Sequence, residues 1–313
     1  MIQRSVFLKM VSLFAAFLIS SEIFIGRAHS AFFNLGDDIG DYQLGSEWGK
    51  RVVDNASYQA GGPKFQRAVL ATVFLPQAGG TAIYLGKFNG VHVVATNHHV
   101  CEHGVDCLDG DAIFTALQKK YTLKMWIVSV KEIDLTLMAI DVPPADEPML
   151  ARVAQNFAFH RDVHFQEPLL TLGYGAAGNS TRLLTAGYDT DCRVLSRTAQ
   201  YVALADPDTT APSPDRVWSF ANGCDISHGD SGSPLISRLT GEILGLIWTG
   251  GTPKQAMAKN SNWIASVANA QSAEVWTQLS YGVPAVKMPA ALLNAETLDD
   301  TRKALVHAIV GAP

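Results

Sequence analysis

A serine set between glycines, in Gly229-Asp230-Ser231-Gly232-Ser233-Pro234, is the part of the chain best suited to covalent chemistry. Flanking glycines let the backbone turn tightly enough to present the Ser231 hydroxyl and aim neighbouring N–H groups at one point. Converging N–H groups are what a developing oxyanion needs, and a hydroxyl beside them is what attack on a carbonyl needs. A plain Gly/Ser turn between strands would read the same way in isolation. The two readings separate on whether a base and an acid stand elsewhere in the chain.

A serine hydroxyl is a poor nucleophile until a base takes its proton, and histidine suits that task near neutral pH. Among nine histidines, His98 and His99 stand out because they close the run Val93-Val94-Ala95-Thr96-Asn97 at the end of an expected strand. Asp134 stands directly before a second apolar run, Leu135-Thr136-Leu137-Met138. A carboxylate buried there needs a partner. In a triad an imidazole N–H is that partner, and the acid fixes the tautomer and supports the imidazolium. A different chemistry competes for the same segment. His98, His99, Cys101, His103 and Cys107 lie close enough in sequence to hold zinc if the cysteines are thiolates.

Strands must carry these groups. Ala68–Leu75, Thr81–Lys87 and Val91–Asn97 read as strands separated by Gly79-Gly80 and Asn89-Gly90 turns. Thr122–Ile127 alternates, then the phase slips at Val128 and Val130, as a bulge or a strand covered on both faces would require. Leu135–Val142 follows, and Pro143-Pro144 reads as a linker. A second set begins near Pro168: Leu169–Tyr174, Leu183–Tyr188, Arg193–Arg197, Val217–Ala221, Pro234–Ser237 and Glu242–Thr249. Ala205–Asp215, with three prolines, is a surface loop. Two such sets predict an all-β protein of two barrels or sandwiches side by side. After Gly251 the pattern turns helical, with Asp299 or Asp300 capping a last helix that carries Ala304, Leu305, Ala308 and Ile309 on one face.

The 313 residues, with 26 glycines and 17% charged side chains, suit a turn-rich folded chain. Residues 1–30 read as a signal peptide. Arg4 and Lys9 precede the apolar run Met10–Ile19, which is short for a bilayer span, and Ala28-His29-Ser30 offers a cleavage site; an uncleaved anchor is the alternative. Its removal leaves 21 basic against 28 acidic residues, a net of −7, which argues against nucleic acid as partner. Export to a periplasmic or extracellular space favours oxidised cysteines, and the four that remain allow three pairings. Cys101–Cys107, closing a small loop, and Cys192–Cys224, pinning the segment before Ser231, are favoured. Residues 31–66 are expected to be a propeptide or an N-terminal arm. The expected divisions are a first β unit at 67–145, a second at 146–255 and a helical segment at 256–313.

The order His, Asp, Ser, each in a β-rich setting, resembles the chymotrypsin-like (trypsin-fold) serine peptidases, in particular their bacterial secreted members. The resemblance covers roughly residues 66–255. Thr96-Asn97-His98-His99-Val100 is similar to the family's histidine motif, in which the catalytic histidine directly precedes Val or Cys; that selects His99. Asp134-Leu135-Thr136-Leu137 resembles the aspartate motif, and Gly229–Pro234 the serine motif. The resemblance implies two six-stranded antiparallel β-barrels packed side by side, with a C-terminal helix on the second barrel; assembly is the alternative use of that helix. It implies His99, Asp134 and Ser231 as catalytic residues and the Gly229 and Ser231 N–H groups as oxyanion hole. It places Asp225 at the base of the S1 pocket, where an acid would select Arg or Lys, and His228 at the mouth. Trp248, Thr249 and Gly250 would wall the pocket. The family's pairing of the acid before the serine with a new N-terminal ammonium would here require a cut after Arg51; otherwise Asp230 bonds neighbouring groups within the fold. Protein or peptide substrates, and a propeptide or inhibitor, are the expected partners, with no cofactor, metal or lasting membrane contact. A catalytically silent relative that binds a partner is the competing reading. An α/β-hydrolase would place its serine before the acid and the histidine, which is not the order here.

Overall fold

Alternating apolar runs divided by glycine turns close into a barrel in the first half of the chain. The structure, a computed structural model, describes residues 49–102, 107–175, 182–204, 216–250, 280–296 and 298–312. The expected signal segment, His103, the Ala205–Asp215 loop and residues 251–279 lie outside them. A short strand β1 (Arg51–Val52) leads into helices α1 (Asn55–Ala60) and α2 (Gly62–Ala71). Strands β2 (Thr72–Leu75), β3 (Gly80–Phe88), β4 (Val91–Thr96), β5 (Asp111–Phe114), β6 (Lys119–Val130) and β7 (Leu135–Asp141) follow. They form a closed barrel in the order β2-β3-β4-β7-β6-β5, every pair antiparallel. The expected phase slip in β6 is present as register shifts between Leu123 and Met125 and between Trp126 and Val128.

The expected strand Ala68–Leu75 is only half strand. Its first four residues end α2, which buries Phe65, Ala68 and Val69 at helical spacing and has a proline in its first turn. A short apolar run does not itself distinguish the two periods.

After helix α3 (Glu147–Ala151) come β8 (Leu169–Gly173), β9 (Thr185–Gly187), β10 (Val202–Leu204), β11 (Val217–Asn222), β12 (Pro234–Ser237), β13 (Ile243–Gly250) and β14 (Ser280–Pro284). These join β1 in an eight-stranded sheet, β1-β9-β8-β12-β13-β14-β11-β10. The second six-stranded barrel expected from the resemblance is therefore an eight-stranded sheet whose end strands do not pair among the described residues. Three unexpected strands enlarge it. Arg51 and Val52 add β1 beside β9, Val202–Leu204 adds β10 beside β11, and β14, with Gly282 and Pro284 interrupting its apolar pattern, inserts between β13 and β11. Arg193–Arg197, expected as a strand, makes only isolated bridges through Arg193 and Val194.

Helices α4 (Met288–Leu293) and α5 (Asp300–Val310) end the chain, and Asp299 caps α5 by accepting the Arg302 N–H at 2.9 Å. The buried face of α5 is Leu305, Val306 and Ile309, while Ala304 is exposed. Among the described residues, α5 packs mainly on β6 and β3 of the first barrel rather than on the second sheet. Arg302 stacks over Trp126 of β6 at 5.0 Å, and Asn89 donates to the Ala304 carbonyl at 3.2 Å. No helix among the described residues is long and apolar enough to cross a membrane.

Candidate active site at the junction of barrel and sheet

Each of the three residues with chemistry stands where a strand meets a turn. His99 follows the end of β4, Asp134 precedes β7, and β4 pairs with β7 through Thr96 and Thr136. The pairing fixes the two residues side by side. Asp134 adopts φ of 37°, a left-handed conformation that Asp tolerates better than most side chains. Its carboxylate accepts the His99 backbone N–H at 2.9 Å through Oδ1 and meets His99 Nδ1 at 2.8 Å through Oδ2. Asn97 Nδ2 donates to the Asp134 carbonyl at 2.9 Å, locking the corner from behind. Asp134 is 4% exposed and the His99 side chain 41%. The carboxylate therefore works from the interior, and the imidazole carries its influence to the surface.

On the far side of the ring, His99 Nε2 meets Ser231 Oγ at 2.8 Å. With Nδ1–H donated to Asp134, Nε2 is left to accept the hydroxyl proton. Ser231 comes from the turn before β12, so this contact joins the barrel to the sheet. The neighbouring His98 is used otherwise. It is buried, and its Nδ1 meets Ser129 Oγ at 2.7 Å.

The serine turn is held against β3 by a single threonine. Thr81 N–H donates to the Ser231 carbonyl at 2.9 Å, and Thr81 Oγ1 donates to the Gly229 carbonyl at 2.7 Å while accepting the Tyr174 N–H at 3.0 Å. Tyr174 is itself buried with its hydroxyl on Thr115 at 2.6 Å, and burial pushes its phenol up to about 12, so it stays neutral. Gly229 and Gly232 take φ of +102° and +83°. At Gly232 a Cβ would also strike the Thr81 carbonyl, so the position is closed to other residues on two counts. Among the described residues the Gly229 and Ser231 N–H groups donate to no acceptor, while the N–H groups of Asp230, Gly232 and Ser233 are all used. Two unspent donors thus flank Asp230, beside the Ser231 hydroxyl.

Thr81→Val keeps the shape and removes the hydroxyl. It leaves the Gly229 carbonyl and the Tyr174 N–H unpaired in the interior, so a loss of about 2–4 kcal/mol is expected, seen as a lower urea midpoint. Sequence reasoning missed Thr81 because a threonine opening a strand carries no signal of what it will meet.

Other expected site residues have different surroundings. Asp225 is 1% exposed, and its Oδ2 accepts the Gly49 N–H at 2.6 Å. Ile226 lies across Gly250, where a Cβ would sit 2.5 Å from its Cδ1. Trp248 is buried with its indole N–H on Ser219 at 3.0 Å, and Thr249 is buried too. His228 is exposed, and its carbonyl accepts from Arg182 at 3.1 Å. Cys101 is joined to Cys107 and Cys192 to Cys224. With both sulfurs of the first pair bonded, the zinc reading loses its thiolates. Asp230 is paired with Lys50.

No protein-family model matches the chain, and no curated protein matches it by sequence. It is similar to several solved structures. One is the inactive form of the Rv3671c protease, at 19% identity and a TM-score of 0.48 over 79% of this chain and 98% of that one. The active form, from M. tuberculosis, is 18% identical with a TM-score of 0.47 over 82% and 93%. A serine endoprotease from Yersinia pestis is 16% identical with a TM-score of 0.42 over 74% and 63%. What the site can do rests on its own residues.

Proposed function

We propose that the protein is a serine endopeptidase that cleaves peptide bonds through Ser231, His99 and Asp134. The observation that carries this reading is the unbroken relay from Asp134 through both ring nitrogens of His99 to Ser231, each step 2.8 Å long. In the proposed cycle Ser231 Oγ attacks the scissile carbonyl as its proton passes to His99 Nε2. The carbonyl oxygen takes up the negative charge and meets the Gly229 and Ser231 N–H groups. His99 then gives its proton to the leaving amine, and the acyl-enzyme remains. Water repeats the sequence in reverse sense, with His99 again as base, and releases the acid. Asp134 keeps Nδ1 protonated throughout and stabilises the imidazolium.

The surroundings of Asp225 support a small P1 side chain over Arg or Lys. Its carboxylate is met by a backbone N–H from within the chain, and Ile226 fills the space against Gly250 that a long side chain would need. Mass spectrometry of a peptide library incubated with the protein tests both parts. Cuts after Ala, Ser or Gly are expected, and Ile226→Ala should extend them to larger P1 residues. Cuts confined to Arg and Lys would refute the pocket reading, and no cuts would refute the peptidase. Transfer of the chain across a membrane by residues 1–30, with action in a periplasmic or extracellular space, belongs to the same proposal; the two disulfides support it.

A further inference from the structure

Asp230 stands between the two residues whose N–H groups are unspent, and it is completely buried. Its carboxylate accepts the Ser227 N–H at 2.9 Å and reaches the hydroxyls of Ser227 and Ser233 at 3.4 Å each. Its charge is met by Lys50 Nζ, and neither side chain is exposed. The site is shaped around this pair. A Cβ at Gly173 or Gly175 would collide with the Asp230 carboxylate, and one at Gly187 would lie 3.2 Å from Lys50 Cγ, so glycines line the path of the lysine and its partner. The preceding residue, Gly49, donates its N–H to Asp225. Arg51 and Val52 then pair with β9, and Val53 N–H bonds the Leu184 carbonyl at 2.9 Å. A continuous stretch, 49–53, is thus threaded beneath the serine turn and places one cation on its acid.

We propose that Lys50 is a positioning residue for Ser231: its ε-ammonium holds Asp230 in the interior and so keeps the Gly229–Ser231 turn in the shape that leaves two N–H groups free, with no cut between Arg51 and Val52. The inference rests on the peptidase reading of Ser231 and names what keeps that site competent. A buried carboxylate stripped of its cation is strongly unfavourable, and the chain relieves it by turning the acid toward water. Because Asp230 lies between Gly229 and Ser231, such a turn moves at least one of the two donors. The loss of one such donor lowers kcat by about 10²–10³-fold.

The test uses the full chain and the variants Lys50→Met and Lys50→Met/Asp230→Asn, the second removing both charges in case the first does not fold. Fluorophosphonate adduct formation is read by intact mass, beside kcat, KM and the affinities of a peptide aldehyde and of a cleaved product peptide. The expected result is a wild-type adduct on chains whose Arg51–Val52 bond is intact. Folded Lys50→Met should lose about 10²–10³-fold in kcat and in aldehyde affinity, with KM and product affinity changed less than about threefold, and the double variant, with no buried charge to expel, should recover most of that loss. A merely structural lysine would lower thermal stability without splitting aldehyde from product affinity. Wild-type activity and aldehyde affinity in folded Lys50→Met, or a folded double variant that has lost about 10²-fold or more in both, would overturn the proposal. So would adducts only on chains beginning at Val52. A wild type that neither turns over nor forms any adduct would instead remove the peptidase reading, and this inference with it.

Discussion

Ser231→Ala should lower kcat by about 10⁴–10⁶-fold, to the level left by binding and the oxyanion donors alone. The fold should not notice. Among the described residues the hydroxyl bonds only His99 Nε2, and the turn is held by backbone and Thr81 contacts that alanine keeps. KM should stay within a few fold, because the lost interaction acts in the transition state and not in substrate binding. Initial rates on the best library peptide, at matched protein concentration, give the comparison. Turnover within about tenfold of wild type would mean that the nucleophile lies elsewhere.

The adjacent histidines make the second prediction sharp, because two neighbouring substitutions of the same kind should have opposite signatures. His99→Ala should cost about as much kcat as Ser231→Ala, since the two act as one unit, while leaving stability nearly unchanged at a half-exposed position. His98→Ala should leave kcat within about tenfold. It removes a buried ring and one of the two partners of Ser129 Oγ, which keeps Thr136 Oγ1, so stability should fall by about 1–3 kcal/mol. Rates and urea midpoints measured on both variants decide the matter. The reverse pattern would move the base to His98 and contradict the relay.

The sequence carried the candidate site residues better than it carried their support. Ser231 was legible because glycine on each side has a backbone consequence that few other residues share. The His98-His99 pair and Asp134 were legible because each borders an apolar run, where a polar side chain needs a reason; the choice of His99 over His98 came from the family resemblance. The bulge between Trp126 and Val128 of β6 was legible for a similar cause, since a break in alternation has few physical explanations, while the one between Leu123 and Met125 was not. Thr81 and Lys50 were not. A threonine at a strand start and a lysine in a glycine-rich stretch look ordinary, and their importance comes from groups about 150 and 180 residues away. One signal did exist for Lys50. A buried acid at Asp230 demands a cation, but the sequence does not say which one.

The fold shows the same division. Local rules marked five of the barrel's six strands and missed β5, whose four residues are too few to show alternation, and the apolar run from Ala68 was split between α2 and β2 by tertiary packing. β14 was missed because the stretch after Gly251 was read as helical, and its Gly282 and Pro284 hide the alternation that β13 and β11 complete by pairing. The docking of α5 depends on which surface is left uncovered, and no single segment encodes that. Asp225 illustrates the limit on specificity. Its position in the motif was readable, while its partner, Gly49, lies in a stretch with no periodicity at all.

The most direct test of an activated serine is covalent labelling. Purified protein treated with diisopropyl fluorophosphate and digested for peptide mapping should carry one phosphoryl group, on Ser231, and the His99→Ala variant should carry almost none under the same exposure. That pair of results would establish that the imidazole makes this hydroxyl a nucleophile. An unlabelled wild type, or a label on Ser231 that forms as fast without His99, would contradict the account.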